Sequence, residues 1–156
     1  MNWQGRVVAI HIGEKSQPLK AVNQVEAQAG TGLVGDRYGT GAGTFSTKKG
    51  PDREITLIEE EALKAVGQEY QVEITSADAR RNVTTQGVPL NHLVGKTFKM
   101  GNVVLKGIRL CEPCGHLEKL LNKGDIKDML RHRGGLRAQI LESGTIHQGD
   151  TVEPLS

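Results

Sequence analysis

Short apolar segments rich in β-branched residues, separated by turns, run along most of the chain. The first of them, Val7-Val8-Ala9-Ile10-His11-Ile12, is typical of a strand that is largely buried. Further segments of this kind are residues 22–27, 54–58, 82–85, 97–100, 103–110, 136–141 and 151–153. The pattern therefore predicts a strand-rich fold.

Helical patterns are fewer and shorter than the strand patterns. Residues 59–70 place their apolar side chains on one face of a helix. Weaker helical patterns cover residues 115–121 and 126–131. Ser76 is expected to cap a helical turn over residues 77–80, because a serine oxygen can accept hydrogen bonds from free amides.

The order of these elements narrows the fold class. No regular strand–helix–strand alternation is present, which disfavours a doubly wound parallel sheet. The pattern favours a mainly β protein with a few short helices, built as a mostly antiparallel barrel or sandwich. No internal repeat or proline-rich linker divides the chain, so we predict a single domain over residues 1–156.

Composition adds limits on the class of function. The chain has 156 residues, and its formal net charge is only +2, without a basic run interleaved with aromatics, so a nucleic-acid partner is not expected. No apolar run approaches the ~20 residues that span a bilayer, and no signal core follows Met1. A membrane role is therefore not expected, and we predict a cytoplasmic protein with reduced thiols. Sequence patterns of hydrolases and of nucleoside-triphosphate sites are also missing.

The segment Cys111-Glu112-Pro113-Cys114-Gly115-His116 carries the clearest chemistry. It follows a predicted strand and precedes a predicted helix, whose free amides and partial positive charge stabilise a thiolate. Three chemical interpretations stay open: a thiolate that carries sulfur or ligates a soft metal, a dithiol–disulfide couple, or a zinc site of Cys111, Cys114 and His116. The plain alternative is a pair of small buried hydrophobic residues.

Three other polar segments are candidates for ligand binding. Asp36 and Arg37 lie in a glycine-rich connection over residues 30–50, where a loop ion pair is an equally good interpretation. Arg81 and Asn82 lie at the start of a predicted strand and have the donors to bind a phosphate or a heterocycle, although the local sequence alone favours a solvated surface pair.

The third segment, Arg131-His132-Arg133-Gly134-Gly135-Leu136-Arg137, is the most cationic stretch of the chain. Its first residues fit an exposed helix end, where cations are common. Arg137 differs, because it falls within an apolar strand pattern. It is therefore the residue of this stretch expected to point into a site.

The order of several motifs resembles the MOSC domain, named for the C-terminal domain of molybdenum cofactor sulfurases. The likeness extends from Val7 to Val152. The motifs that carry it are Gly32-Leu33-Val34-Gly35-Asp36-Arg37, Arg81-Asn82-Val83-Thr84, Leu93-Val94-Gly95-Lys96-Thr97-Phe98, Cys111-Glu112-Pro113-Cys114 and Gly135-Leu136-Arg137-Ala138, followed by Gly144 and Gly149-Asp150.

The resemblance implies a compact, largely antiparallel β-barrel and a cysteine that carries sulfur or contacts the molybdenum of a cofactor. It assigns that role first to Cys114, as carrier and as metal ligand, and second to Cys111. It implies a pocket for the molybdenum cofactor (molybdopterin) or a related anionic pterin. The residues expected to bind that ligand are Arg81, Asn82, Arg137, Arg37, Asp36 and His116.

Two departures from the family limit what the resemblance implies. Many relatives have a histidine where this chain has Tyr38, after Asp36 and Arg37. Full cofactor sulfurases also carry a pyridoxal phosphate domain, for which this chain is too short. A carrier of this kind would need a separate sulfur donor, such as a cysteine desulfurase, and a molybdenum enzyme as acceptor. Whether the chain has sulfurtransferase-like turnover, or is a binding module without turnover, stays open.

Overall fold

The computed structural model describes residues 2–13, 19–36, 50–51, 53–71, 73–111 and 132–155. Within them, strands greatly outnumber helices. The strands are β1 (Gly5–Ile12), β2 (Lys20–Val22), β3 (Gln24–Gln28), β4 (Gly32–Leu33), β5 (Ile55–Glu59), β6 (Val83–Gln86), β7 (Thr97–Met100), β8 (Val103–Leu110), β9 (Leu136–Glu142), β10 (Gly144–His147) and β11 (Thr151–Pro154). The helical elements of this part are α1 (Glu60–Tyr70) and a 3₁₀ turn, η1 (Leu90–His92).

Seven of these strands close into a mixed β-barrel in the order β11-β7-β8-β9-β5-β6-β1. Closure comes from the antiparallel pairing of β1 with β11, in which Gly5 faces Val152 and Arg6 faces Thr151. The strand pairs of the barrel are antiparallel except β5 with β6, which is parallel. Strand β2 pairs with β1 outside the ring, and β10, β3 and β4 form a small second sheet.

The barrel interior is filled by every second side chain of the strands, as the two-residue period of a strand requires. Along β9, Leu136, Ala138 and Ile140 join the buried cluster, while Arg137 and Gln139 take the opposite face. Phe98 is fully buried in the same cluster, and the indole of Trp3 packs against it with ring centroids 6.5 Å apart. Because aromatics are scarce, aliphatic residues supply most of this core.

A second, smaller cluster lies outside the barrel, between β5 and α1. Helix α1 begins with Glu60 and Glu61, which suit the positive end of the helix dipole, and it ends at Gln71 in a left-handed conformation. Its residues Leu63 and Val66 pack with Ile58 of β5. The helix therefore covers one outer face of the barrel, near the start of β6.

The prediction of a largely antiparallel β-barrel is confirmed, and most of the predicted strands are present with ends shifted by at most two residues. The segment 22–27, predicted as one strand, is divided at Asn23 between β2 and β3. The strand Gly144–His147 was not predicted, and the pair Gly32–Leu33 forms a short strand inside the segment expected to be a loop. Both pair with β3, so tertiary contacts override weak local patterns. The helices predicted over 115–121 and 126–131 lie outside the described residues.

The turn after α1 corrects one local prediction. Ser76 is not the capping residue; instead, Thr75 and Asp78 cap each other, since the Thr75 amide donates to Asp78 Oδ2 and the Asp78 amide donates to Thr75 Oγ1. This reciprocal pair fixes the turn that leads to Arg80, whose backbone is left-handed at φ 55°. In the part of the chain that the structure describes, no helix has the length and apolar content needed to cross a membrane.

Gly135, at the start of β9, occupies a position that only glycine tolerates. Its φ is 108°, and a Cβ there would overlap the carbonyl oxygen of Leu57. We expect Gly135→Ala to lower the free energy of unfolding by about 3 kcal/mol, from backbone strain and a steric clash. Gly30→Ala is the matched control, because Gly30 is also left-handed at φ 78° but has open space around it, so its cost is about 1 kcal/mol. Equal losses for the two variants in urea unfolding would refute the steric argument.

Candidate functional site

The register of β5, β8 and β9 brings three polar residues together at one end of the barrel. Arg137 of β9 is directly opposite Thr56 of β5 on one side and Arg109 of β8 on the other. Arg137 is buried, with 9% of its surface exposed, whereas Arg109 is exposed. Both arginines take part in further contacts. Like charges directly opposite in a sheet repel each other, so this row of residues favours a negatively charged neighbour.

Asn82 connects this row to the two strands beyond it. Its Oδ1 accepts hydrogen bonds from the amide and the hydroxyl of Thr56, at 3.0 and 3.1 Å. Its Nδ2 donates to the carbonyl oxygen of His11 at 3.1 Å, and its carbonyl accepts from the His11 amide at 2.6 Å. Asn82 is fully buried. Its side-chain hydrogen bonds join β5 to β1 at the place where the parallel pairing of β5 and β6 begins.

His11 lies on the other side of Asn82 from Thr56, and so extends the polar row formed by Arg109, Arg137 and Thr56. Its side chain is 7% exposed, and Nδ1 has no hydrogen-bond partner within the described residues. Burial lowers the pKa of the imidazole below its ordinary value of 6.5, so His11 is neutral at neutral pH. A lone histidine inside an apolar strand pattern is more often a hydrogen-bonded structural residue than a ligand or a base. The backbone of His11 fits that description, because its amide and its carbonyl both hydrogen-bond Asn82.

Arg81 reaches the segment that precedes β9. Its Nε donates to the carbonyl oxygen of Gly134 at 2.8 Å, and the side chain is 7% exposed. The residue before it, Arg80, is also buried and has the left-handed backbone noted above. Arg81 therefore holds in place the strand start that presents Arg137.

Cys111 lies next to the same strand start. It follows β8 directly, its amide donates to the carbonyl oxygen of Gly135 at 2.7 Å, and its side chain is 1% exposed. A thiol so deeply buried is poorly placed to react with a partner protein. Cys114 and His116 lie outside the described residues.

Asp36 is placed at the neighbouring end of β1. It is fully buried, and its Oδ1 accepts a hydrogen bond from the amide of Gly13 at 3.1 Å. The carboxylate therefore connects the glycine-rich segment to the end of β1. Arg37, which follows it, lies outside the described residues.

The structure thus brings Arg81, Asn82, Arg137 and Cys111 to one end of the barrel, from three separate parts of the chain. Sequence analysis missed the role of Thr56, which lies inside the apolar segment Ile55-Thr56-Leu57-Ile58. A polar residue in a fully buried strand was the available signal. Among the described residues, no three His, Cys, Asp or Glu side chains converge in a way that would hold a metal ion.

The fold defines a closed-barrel β protein with a polar site, rich in arginine, at one end of the barrel. The sequence profile of the MOSC domain matches residues 44–153. The match covers more than half of the chain, so the protein belongs to the MOSC domain family.

Solved structures agree with this fold at low sequence identity. The YuaD protein from Bacillus subtilis superposes with a TM-score of 0.77 at 17% identity, over 99% of this chain and 100% of that chain. YiiM from Geobacillus stearothermophilus has a TM-score of 0.76 at 16% identity, over 97% of this chain and 75% of its own. YiiM from Escherichia coli has a TM-score of 0.69 at 19% identity, over 100% and 70% of the two chains. No curated protein matches the chain in sequence.

Proposed function

We propose that this MOSC domain binds the molybdenum cofactor, or a related anionic pterin, at the arginine-rich end of its barrel and carries sulfur on the Cys114 thiolate. The observation that carries the proposal is the placement of Arg137 opposite Arg109, beside a strand end that leads into the Cys111-to-Cys114 segment. Family membership supports the general class, because the MOSC domain is associated with molybdenum cofactor enzymes.

The donor set at the barrel end suits such a ligand. Guanidinium groups present planar forks that match phosphate and carboxylate oxygens. Arg81 and Arg137 are both buried, and Arg81 is held by its hydrogen bond to the carbonyl oxygen of Gly134. When bound, the cofactor supplies a metal centre with high affinity for sulfur.

The sulfur step uses the chain's own thiolate. The Cys114 sulfur attacks the outer sulfur of a persulfide on a donor protein, such as a cysteine desulfurase. A new sulfur–sulfur bond forms on Cys114 as the donor's sulfur–sulfur bond breaks, and the donor leaves as a thiolate. No external oxidant is needed, because the transferred sulfur keeps its oxidation state. The acceptor in this proposal is a molybdenum enzyme.

A second candidate is a binding module that holds the cofactor and passes it on without a covalent step. The arginine pair favours it, since Arg109 and Arg137 face each other independently of any thiol. A dithiol–disulfide couple is less well supported, because Cys111 is 1% exposed and inaccessible to redox partners.

Ligand binding tests the arginine site directly. We expect Arg137→Gln to weaken binding of isolated molybdenum cofactor at least about tenfold, since one buried charged contact is worth about 1.5–3 kcal/mol. Arg109→Gln is the companion variant, because an exposed residue can be replaced with little effect on folding. The control for loss of one positive charge is Arg6→Gln. Arg6 lies on the exposed surface, where its Nε donates a hydrogen bond to Gln86.

Equilibrium titration followed by pterin fluorescence measures these affinities, and thermal unfolding verifies the fold of each variant. Wild-type affinity in both Arg137→Gln and Arg109→Gln would contradict the proposed ligand site.

A further inference from the structure

A cleft of about 1130 Å³ lies beside the arginine site and is lined by none of the residues assigned to that site. Its strand residues are outward-facing positions of neighbouring barrel strands: Thr97, Lys106, Gln139, Leu141 and Glu153. Trp3, Lys96, Pro154 and Leu155 also line it, together with Asn2, Gln4, Leu93 and Gly95. Gln139 is two residues beyond Arg137 on the same face of β9, a distance of about 7 Å. The cleft and the arginine site therefore share one surface.

The cleft carries an excess of positive charge. Lys96 and Lys106 are exposed, and neither has an ion-pair partner among the described residues. The negative charge of the cleft, Glu153, lies directly opposite Lys99 across the β11–β7 pair, which offsets it. An occupant of this cleft is therefore expected to be acidic.

Apolar side chains are unusually exposed in and around the cleft. Leu141 and Leu155 line it with exposed fractions of 40% and 45%, and Val94, beside the lining residues Leu93 and Gly95, is 42% exposed. These three belong to the five exposed large hydrophobic residues in the described part of the chain. Such grouping, rimmed by polar residues, marks a surface that contacts another protein.

The size and strand pairing of the cleft favour a polypeptide bound through its side chains. The volume lies near the upper end of the range of about 300–1000 Å³ that is usual for small-molecule sites, so the cleft has room for several side chains of a peptide. The strands that form it, β7, β8, β9 and β11, each have neighbours on both sides in the closed barrel, so a partner cannot join as an added strand. Recognition therefore depends on charge and on apolar contact.

We propose that this cleft is a docking surface for an acidic segment of a partner protein, in which carboxylates face Lys96 and Lys106 and apolar side chains contact Leu141 and Leu155. A segment bound in the cleft would contact Gln139, which is two residues from Arg137 on the same face of β9. The docking surface goes beyond the proposed cofactor and sulfur chemistry, and either can hold without the other.

The only tryptophan of the chain is Trp3, which lines the cleft, so its fluorescence reports occupancy of this surface. The probe is a synthetic peptide with leucines spaced among glutamates. We expect saturable binding that weakens as salt is raised, because the attraction between exposed charges is screened. The Lys96→Glu/Lys106→Glu double variant is expected to bind the peptide at least about tenfold more weakly. Lys20→Glu, a change of an exposed lysine on β2 that does not line the cleft, is expected to bind normally.

Two control peptides test whether binding needs both the negative charges and the apolar side chains of the probe. A peptide with lysine in place of glutamate, and one with serine in place of leucine, are both expected to bind weakly. Absence of binding by the acidic peptide, or equal binding by the double variant, overturns the proposal. So does concentration-dependent self-association that Leu141→Ser and Leu155→Ser abolish, since the occupant would then be a second copy of the chain. Cys114→Ser is expected to leave peptide binding unchanged, so a failure of the sulfur chemistry is recognised separately.

Discussion

Replacing Cys114 by serine is expected to abolish acceptance of sulfur from a persulfide donor, with a loss of at least about 100-fold in rate. The hydroxyl of serine is nearly the size of a thiol but stays protonated at neutral pH, so it lacks the nucleophile that the transfer requires. The measurement is the rate at which a donor persulfide, prepared on a cysteine desulfurase, adds one sulfur to the protein, followed by intact-protein mass spectrometry.

Cys111→Ala is the matched control for this experiment. The Cys111 side chain is 1% exposed, and alanine is small and apolar enough for such a position. Sulfur acceptance by this variant is expected to stay within about twofold of wild type, with a modest loss of stability. The reverse pattern, with Cys111→Ala inactive and Cys114→Ser active, would transfer the carrier role to Cys111. Full activity in both variants would contradict a thiol carrier in this segment.

The second large effect concerns the architecture of the site. Asn82→Ala is expected to lower the free energy of unfolding by about 4 kcal/mol, because it removes the buried side-chain partner of the Thr56 amide and of the His11 carbonyl, and the acceptor for the Thr56 hydroxyl proton. Each orphaned buried polar group costs about 1–3 kcal/mol. The loss is measured by urea unfolding at equilibrium.

Asn91→Ala is the control for the loss of an asparagine side chain. Asn91 is exposed and makes one described hydrogen bond, from Nδ2 to the carbonyl oxygen of His132. Water can replace that partner, so the expected cost is within about 1 kcal/mol. If Asn82→Ala were no more destabilising than Asn91→Ala, Asn82 would not be the connector that the hydrogen bonds describe.

The fold could be predicted largely from the sequence because strand signals are strong where a buried face repeats every second residue. The segments 97–100 and 103–110 show this, and both strands appear with the bounds that the pattern predicts. The strand Gly144–His147 was missed, since its stability comes from pairing with β3, about 120 residues earlier in the chain. Pairing across such a distance leaves no local signal.

The candidate site could be predicted only in part, for a related reason. Arg137 was singled out because a charge inside an apolar strand pattern is unusual, and the structure places it in the polar row at the barrel end. Asn82 was expected to contact a ligand, which stays a prediction, whereas its side-chain hydrogen bonds to Thr56 and His11 were not foreseen. The sequence shows which residues can form hydrogen bonds, whereas only the strand register shows with which partners they form them.

Mass spectrometry and metal analysis of the protein purified from its native host test the central claim most directly. The account predicts an added sulfur on the peptide that contains Cys111 and Cys114, assigned to Cys114 by fragmentation. It also predicts co-purified molybdenum, in a smaller amount in the Arg137→Gln variant than in the wild-type protein. Protein that carries neither the added sulfur nor molybdenum, or that carries zinc in their place, would contradict it.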